Sequence, residues 1–218
     1  MKVLYITYDG LLDPLGSSQI LPYLYGLNDS SKFIFIISVE KSHRYKAGYR
    51  ALRDELSKKN IYWKPLLFSK QFGVLGKLWD FQKMYFSAIK LSASYKIDSV
   101  HARGHVAAQV ASFLKLLFNI KFIFDFRGLW VEERLDNNSL SRNNLFGYFI
   151  FKILKSIESK TLCKSYKVIV LTNNLKKKLI KDFNLSDNNI QVMPCYVDVN
   201  YFNKQANHSN LDIHSKLK

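Results

Sequence analysis

Apolar and polar positions along the chain fall into two alternating patterns. Short β-rich runs occur at Val3–Thr7, Lys32–Ser38, Ile61–Leu67, Ser99–Ala102, Lys121–Phe126, Lys167–Leu171 and Ile190–Met193. Longer stretches compatible with helices lie between them, at Ser18–Leu27, Arg44–Lys59, Val74–Lys96, Val106–Phe118, Leu145–Lys164 and Leu175–Phe183. Strands that alternate with such helices imply βαβ units and a parallel sheet. The runs are nearly continuous in apolar character, as expected when helices cover both faces. The pattern therefore predicts an α/β fold, a Rossmann-like, doubly wound parallel sheet of about seven strands with helices on both faces. Thr172-Asn173-Asn174 offers N-cap side chains for the helix at Leu175. Asp136–Asn144 is polar and Asn-rich and reads as a loop over the site. The tail from Asn203 to Lys218 is polar and aperiodic and reads as a linker.

Polar groups at the carboxyl ends of parallel strands line the crevice where such sheets bind ligands. Two clusters stand there. His101, Arg103 and His105 follow the fourth run; Asp125, Arg127 and Trp130 follow the fifth. Arg103 offers a planar fork for phosphate or sugar oxygens, and His101 a donor for a hydroxyl or a leaving-group oxygen. Asp125 needs a partner if buried. Either Arg127 is that partner in a structural ion pair, or Asp125 accepts from a sugar hydroxyl while Trp130 offers a stacking face. The first run leads into Asp13-Pro14-Leu15-Gly16-Ser17-Ser18-Gln19 and then a helix. A glycine there lets backbone N–H groups approach a phosphate, or it simply makes a turn. Neither the dinucleotide fingerprint nor a Walker loop is present.

Composition sharpens the picture at one point. Lys and Arg number 33 against 17 Asp and Glu, a formal net charge of +16. That imbalance leads us to expect an anionic partner: a membrane surface, a phosphorylated substrate or nucleic acid. It equally describes a lysine-rich solvated surface. The segments 72–96 and 145–164 are amphipathic, aromatic and rich in lysine. Such helices can lie on an anionic bilayer, although packing the apolar stripe on the sheet, lysines outward, is the simpler arrangement. Cys163 and Cys195 lack metal-ligand spacing and fit a reducing compartment. No apolar run reaches bilayer-spanning length, and with a strand-like run beginning at Val3 we expect no leader. We therefore expect a cytoplasmic chain, with peripheral association at the inner face of the membrane as the variant.

Together these segments resemble the N-terminal domain of a GT-B fold glycosyltransferase of glycosyltransferase family 4. The pieces that carry the resemblance are the loop Asp13–Gln19, Val100–Gly104, Phe124–Trp130 and Val168–Thr172. The last is Val192-Met193-Pro194-Cys195-Tyr196-Val197-Asp198 with Phe202, similar to the family's Pro-x-x-Val-Asp-x-x-x-Phe segment. The resemblance spans residues 1–203, with 204–218 as a linker or the start of a further domain.

The resemblance implies a retaining transfer of a sugar from a nucleotide-sugar donor, a co-substrate, to a glycan or lipid-linked acceptor, with no metal or other cofactor. It assigns His101, Arg103 and Asp125 to catalysis. Gly16, Ser17, Gln19, His105, Arg127 and Trp130 are assigned to substrate. His101-Ala102-Arg103 departs from the family's His-x-His, so Arg103 or His105 is expected to replace the second histidine. The family's donor-binding domain carries a Glu-x7-Glu motif, which does not follow Phe202 here. The expectation is thus an acceptor-side half with little transferase activity alone, and with a possible complementing C-terminal half as partner. The alternative is a non-enzymatic, basic peripheral-membrane or scaffold protein retaining the fold. Nucleic-acid binding ranks last, because no recognised module is present.

Overall fold

The structure, a computed structural model, describes residues 1–27, 32–69, 73–136 and 145–195. Of the loop expected at Asp136–Asn144, residues 137–144 lie outside the described residues, as do Tyr196–Phe202 of the final motif and the tail from Asn203. Seven strands form one parallel sheet: β1 Lys2–Thr7, β2 Phe33–Glu40, β3 Ile61–Leu67, β4 Ser99–Arg103, β5 Lys121–Phe126, β6 Lys167–Val170 and β7 Ile190–Val192. All seven fall on the predicted runs. Their order is β3-β2-β1-β4-β5-β6-β7. The winding direction reverses between β1 and β4, which opens a crevice at their carboxyl ends.

The helices are α1 Leu21–Leu27, α2 Ser42–Lys58, α3 Gly73–Tyr95, α4 Gly104–Phe118, α5 Trp130–Asp136, α6 Leu145–Lys164 and α7 Asn173–Phe183. The side chain of Thr172 caps α7 by accepting from the Leu175 N–H at 3.1 Å, as its sequence predicts. Asn119 and Asn184 close α4 and α7 in the left-handed conformation that asparagine tolerates. Helix α5 is absent from the sequence reading. It is seven residues long, too short for an apolar period to register, and it begins two residues after Gly128.

Alternation along the strands divides the interior into two layers. Tyr5, Ile34, Ile36, Ile61 and Trp63 pack beneath Leu21 and Leu24 of α1 and Leu52 and Leu56 of α2. On the opposite face Leu4, Ile6, Val100, Phe122 and Phe124 pack beneath α3, α4, α6 and α7. The second layer is the larger, and the strand residues buried in it are all apolar. The first accommodates polar residues at the carboxyl ends of β4 and β5, and the candidate site is built there.

Candidate functional site

Register alone brings the principal residues together. Thr7 of β1 pairs with Arg103 of β4, which pairs with Asp125 of β5. His101, two residues earlier on β4, points to the same face. Asp125 is the centre of the group. Its Oδ2 accepts from the Arg127 guanidinium at 2.7 Å. Nε2 of His101 lies 3.6 Å from the same oxygen, and the Arg103 guanidinium lies 3.7 Å from it. Burial by itself raises the Asp125 carboxyl. The His101 imidazole and the Arg127 charge more than offset this and hold it below the ordinary aspartate range. Arg127 is raised in turn, since its pairing with Asp125 outweighs its own burial.

The group is layered. The side chains of His101, Arg103 and Asp125 are only 6%, 3% and 2% exposed, whereas that of Arg127 is 29% exposed. Tyr5 stacks on the His101 ring with centroids 4.8 Å apart, and Tyr23 of α1 covers it at 5.5 Å. Arg103 donates to Oε1 of Gln19 at 3.0 Å, and its Nε lies 3.5 Å from Asp9 Oδ2. Arg127 reaches outward, where its other terminal nitrogen lies 3.5 Å from Cys195 Sγ. The Nε atoms of Arg103 and Arg127 are buried with no hydrogen-bond partner among the described residues. A guanidinium has more N–H donors than these contacts use, and of the two only Arg127, 29% exposed, presents its terminal nitrogens toward solvent.

Two depressions meet at Arg127. One, of about 420 Å³, runs between α1 and the segment after β7, past Gln19, Pro22, Tyr23, Met193 and Pro194. The other, of about 250 Å³, is lined by Tyr8, Asp9, Arg103, Trp130 and Glu133. Arg127 is the residue common to both.

The loop between β1 and α1 is held by a residue outside the predicted site. Glu40, at the end of β2, is fully buried. It accepts from the N–H groups of Leu11 at 2.8 Å and Leu12 at 3.2 Å, and from the Ser38 hydroxyl at 2.6 Å. Burial pushes its carboxyl up, while these three donors pull the other way. Its signal in the sequence is an acid closing an apolar run, the same signal that marks Asp125. The loop then enters a π-helical turn at Gly16–Ile20, where the Leu21 N–H bonds to the Gly16 carbonyl. A Cβ on Gly16 would sit 2.1 Å from the Gly10 carbonyl oxygen, so glycine here permits two backbone segments to touch. Ser17 and Ser18 donate back to the Pro14 carbonyl at 3.1 and 2.7 Å, which fixes the turn.

The structure separates His101, Arg103 and His105 of β4 and its turn. Gly104, at φ +80°, reverses the chain, and His105 enters the opposite layer. There it meets Glu158 of α6 at 2.7 Å, and Lys155 bonds the other Glu158 oxygen at 2.6 Å. Burial raises Glu158, but His105 and Lys155 outweigh it and hold the carboxyl low. Trp130 stacks on His105 at 5.5 Å, with the Arg134 guanidinium 3.9 Å from its ring centre. Its ring is thus engaged within the protein. Among the described residues no cluster of His, Cys, Asp and Glu is placed to hold a metal ion.

The fold and this crevice define the chain as an N-terminal-type domain of the GT-B kind. The profile of Glycosyltransferase Family 4 matches residues 47–201, and the chain belongs to that family. A search of curated protein sequences returned no match. Among solved structures, Anabaena Alr3699/HepE in complex with UDP and glucose superposes with a TM-score of 0.55 at 14% identity, covering 96% of this chain and 50% of that one. A glycosyltransferase from Rickettsia africae ESF-5 gives 0.51 at 17% identity, covering 98% and 48%. The UDP-GlcNAc 2-epimerase of Neisseria meningitidis bound to UDP-GlcNAc gives 0.52 at 16%, covering 88% and 46%. The chain therefore spans about half the length of the structures it resembles.

Proposed function

We propose that this chain supplies the acceptor side of a retaining glycosyltransferase that moves a sugar from a nucleotide-sugar donor to a glycan or lipid-linked acceptor. The observation that carries the reading is Arg127, held by buried Asp125 and presented at the junction of two open depressions. Family membership supports the reaction class. Complexes of structural neighbours with UDP and UDP-GlcNAc support a nucleotide sugar as donor.

The roles divide by depth. Arg127, Gln19 and the backbone of the Gly16 turn face the ligand. His101, Arg103 and Asp125 form the buried layer that fixes Arg127 and Gln19 in place. A fixed guanidinium at this position stabilises negative charge as it builds on the departing phosphate. Tight positioning of donor against acceptor requires a second wall opposite the crevice. In this reading a donor-binding domain forms that wall, either on the same polypeptide or on a partner. The competing reading is a basic scaffold that retains the fold without transfer.

One experiment separates them. The chain is expressed alone, and also together with the coding sequence that follows Lys218. Both preparations are offered UDP- and GDP-sugars with total membrane lipid as acceptor, and nucleoside diphosphate release is measured. Acceptor-dependent release from the larger preparation, lost in Arg127→Ala, supports transfer. No release from either preparation favours the scaffold.

A further inference from the structure

We propose that the outer surface of α3, with its neighbours α4 and α6, is a docking face for an anionic lipid bilayer. Helix α3 packs one stripe on the sheet through Met84, Ala88 and Leu91. A helix of that kind normally turns polar residues to water. This one does not: Leu75, Leu78, Trp79 and Phe86 recur at helical spacing on the outside. Trp79 is 60% exposed and Phe86 68%. Between α3 and α4 an apolar groove of about 500 Å³ continues the same surface, with Phe113 of α4 as its far wall.

The charge on this face is one-sided. Asp80 and Glu158 are the only acidic residues in α3, α4 and α6. Both are buried, Asp80 against Lys83 and Glu158 against Lys155 and His105. The three helices therefore present no exposed carboxylate, while Lys90 stands exposed one turn from Phe86 and Lys77 is exposed near the start of α3. Helix α2 on the opposite face does carry exposed acids, Asp54 and Glu55. Exposed Trp, Phe and Leu flanked by lysines suit the bilayer interface, where the rings enter the headgroup region and the ammonium groups meet lipid phosphate. Nucleic acid would match the charge but not the Leu75 and Leu78 side chains.

The first turns of α3 follow β3 and lie at the carboxyl edge of the sheet. Tyr8, at the mouth of the crevice, packs against Phe81 with centroids 6.4 Å apart. A membrane on α3 would thus lie beside the crevice, within reach of a lipid-linked acceptor. That consequence rests on the transfer reading; the docking itself does not, and vesicle binding is measured without any sugar donor.

The test is sedimentation with vesicles of phosphatidylcholine alone and of phosphatidylcholine mixed equally with phosphatidylglycerol. The expected result is binding to the mixed vesicles only, weakened by salt, with a blue shift of Trp79 fluorescence that Trp79→Phe removes. Trp79→Ser/Phe86→Ser should lower the partition coefficient roughly tenfold or more. Lys77→Glu/Lys90→Glu should do likewise. All these side chains are exposed, and circular dichroism confirms that each variant is folded. Wild-type binding in either folded double variant overturns the proposal. So does absence of binding to mixed vesicles, whether the chain is monomeric, binds RNA instead, or forms a dimer that Trp79→Ser/Phe86→Ser dissociates.

Discussion

Asp125 of β5 and Arg127 just beyond its end form a 2.7 Å ion pair in which the carboxylate is buried and the guanidinium reaches solvent. The pair converts a buried charge into a fixed, outward-facing donor. Replacing Arg127 with Lys keeps a positive charge but not the planar fork. We expect Arg127→Lys to fold and to lower transfer roughly 100-fold. Arg127→Met should be lower still and cost about 1.5–3 kcal/mol of stability, since Asp125 loses its closest donor. Transfer rates and urea midpoints of the three proteins check this.

Asp125→Asn removes the negative charge that Arg127 bonds and that His101 and Arg103 face. At neutral pH it should cost about 3–5 kcal/mol, the range for breaking a buried pair by deleting one partner. The pH dependence has a definite sign. Asp125 and Glu158 are both held below their unfolded values. Their contribution is present above about pH 4, near the unfolded carboxyl range, and is lost as pH falls through the folded values. Glu40 is raised and acts oppositely: its contribution is full at low pH and shrinks as pH rises through the folded value. Unfolding free energies from pH 7 down to pH 3 should show the gap between wild type and Asp125→Asn closing on acidification. A constant gap would contradict the assignment.

The β1–α1 loop should fail in a distinguishable way. Gly16→Ala drives a methyl group into the Gly10 carbonyl, and the loop must move. The expected cost is roughly 1–3 kcal/mol, as for other overpacked sites. Glu40→Gln turns an amide N–H₂ toward one of three donors, at a cost of about 1–3 kcal/mol. Both should also reduce transfer, because this loop carries Gln19, which accepts from Arg103. A drop in thermal midpoint without any change in transfer would separate the loop from the site.

His105 gives the opposite expectation. It bonds Glu158 in the layer opposite Asp125 and also forms part of the wall of the 250 Å³ depression, so His105→Phe should lower stability and affect transfer less than Arg127→Lys does. A loss of transfer matching that of Arg127→Lys, in a folded His105→Phe protein, would restore it to the ligand side.

The seven strands were legible because parallel strands buried on both faces must be continuous apolar runs, and each lies where its run lies. Helix positions followed from the same alternation, except α5, whose seven residues carry too little periodicity. The candidate residues at the ends of β4 and β5 were also legible, since a charged residue closing an apolar run is conspicuous in one dimension. The sequence by itself thus determined the fold class and placed the candidate residues at the carboxyl edge of the sheet. Tertiary structure decided how those residues are used. Only register sets Arg103 beside Asp125. Only the positive φ at Gly104 sends His105 to the opposite layer. Glu40 reaches Leu11 and Leu12 from 29 and 28 residues away, and no local pattern records such a contact. The outer face of α3 is a similar case. Amphipathic spacing shows that one stripe must be buried, but a sequence does not reveal which apolar residues the sheet leaves uncovered.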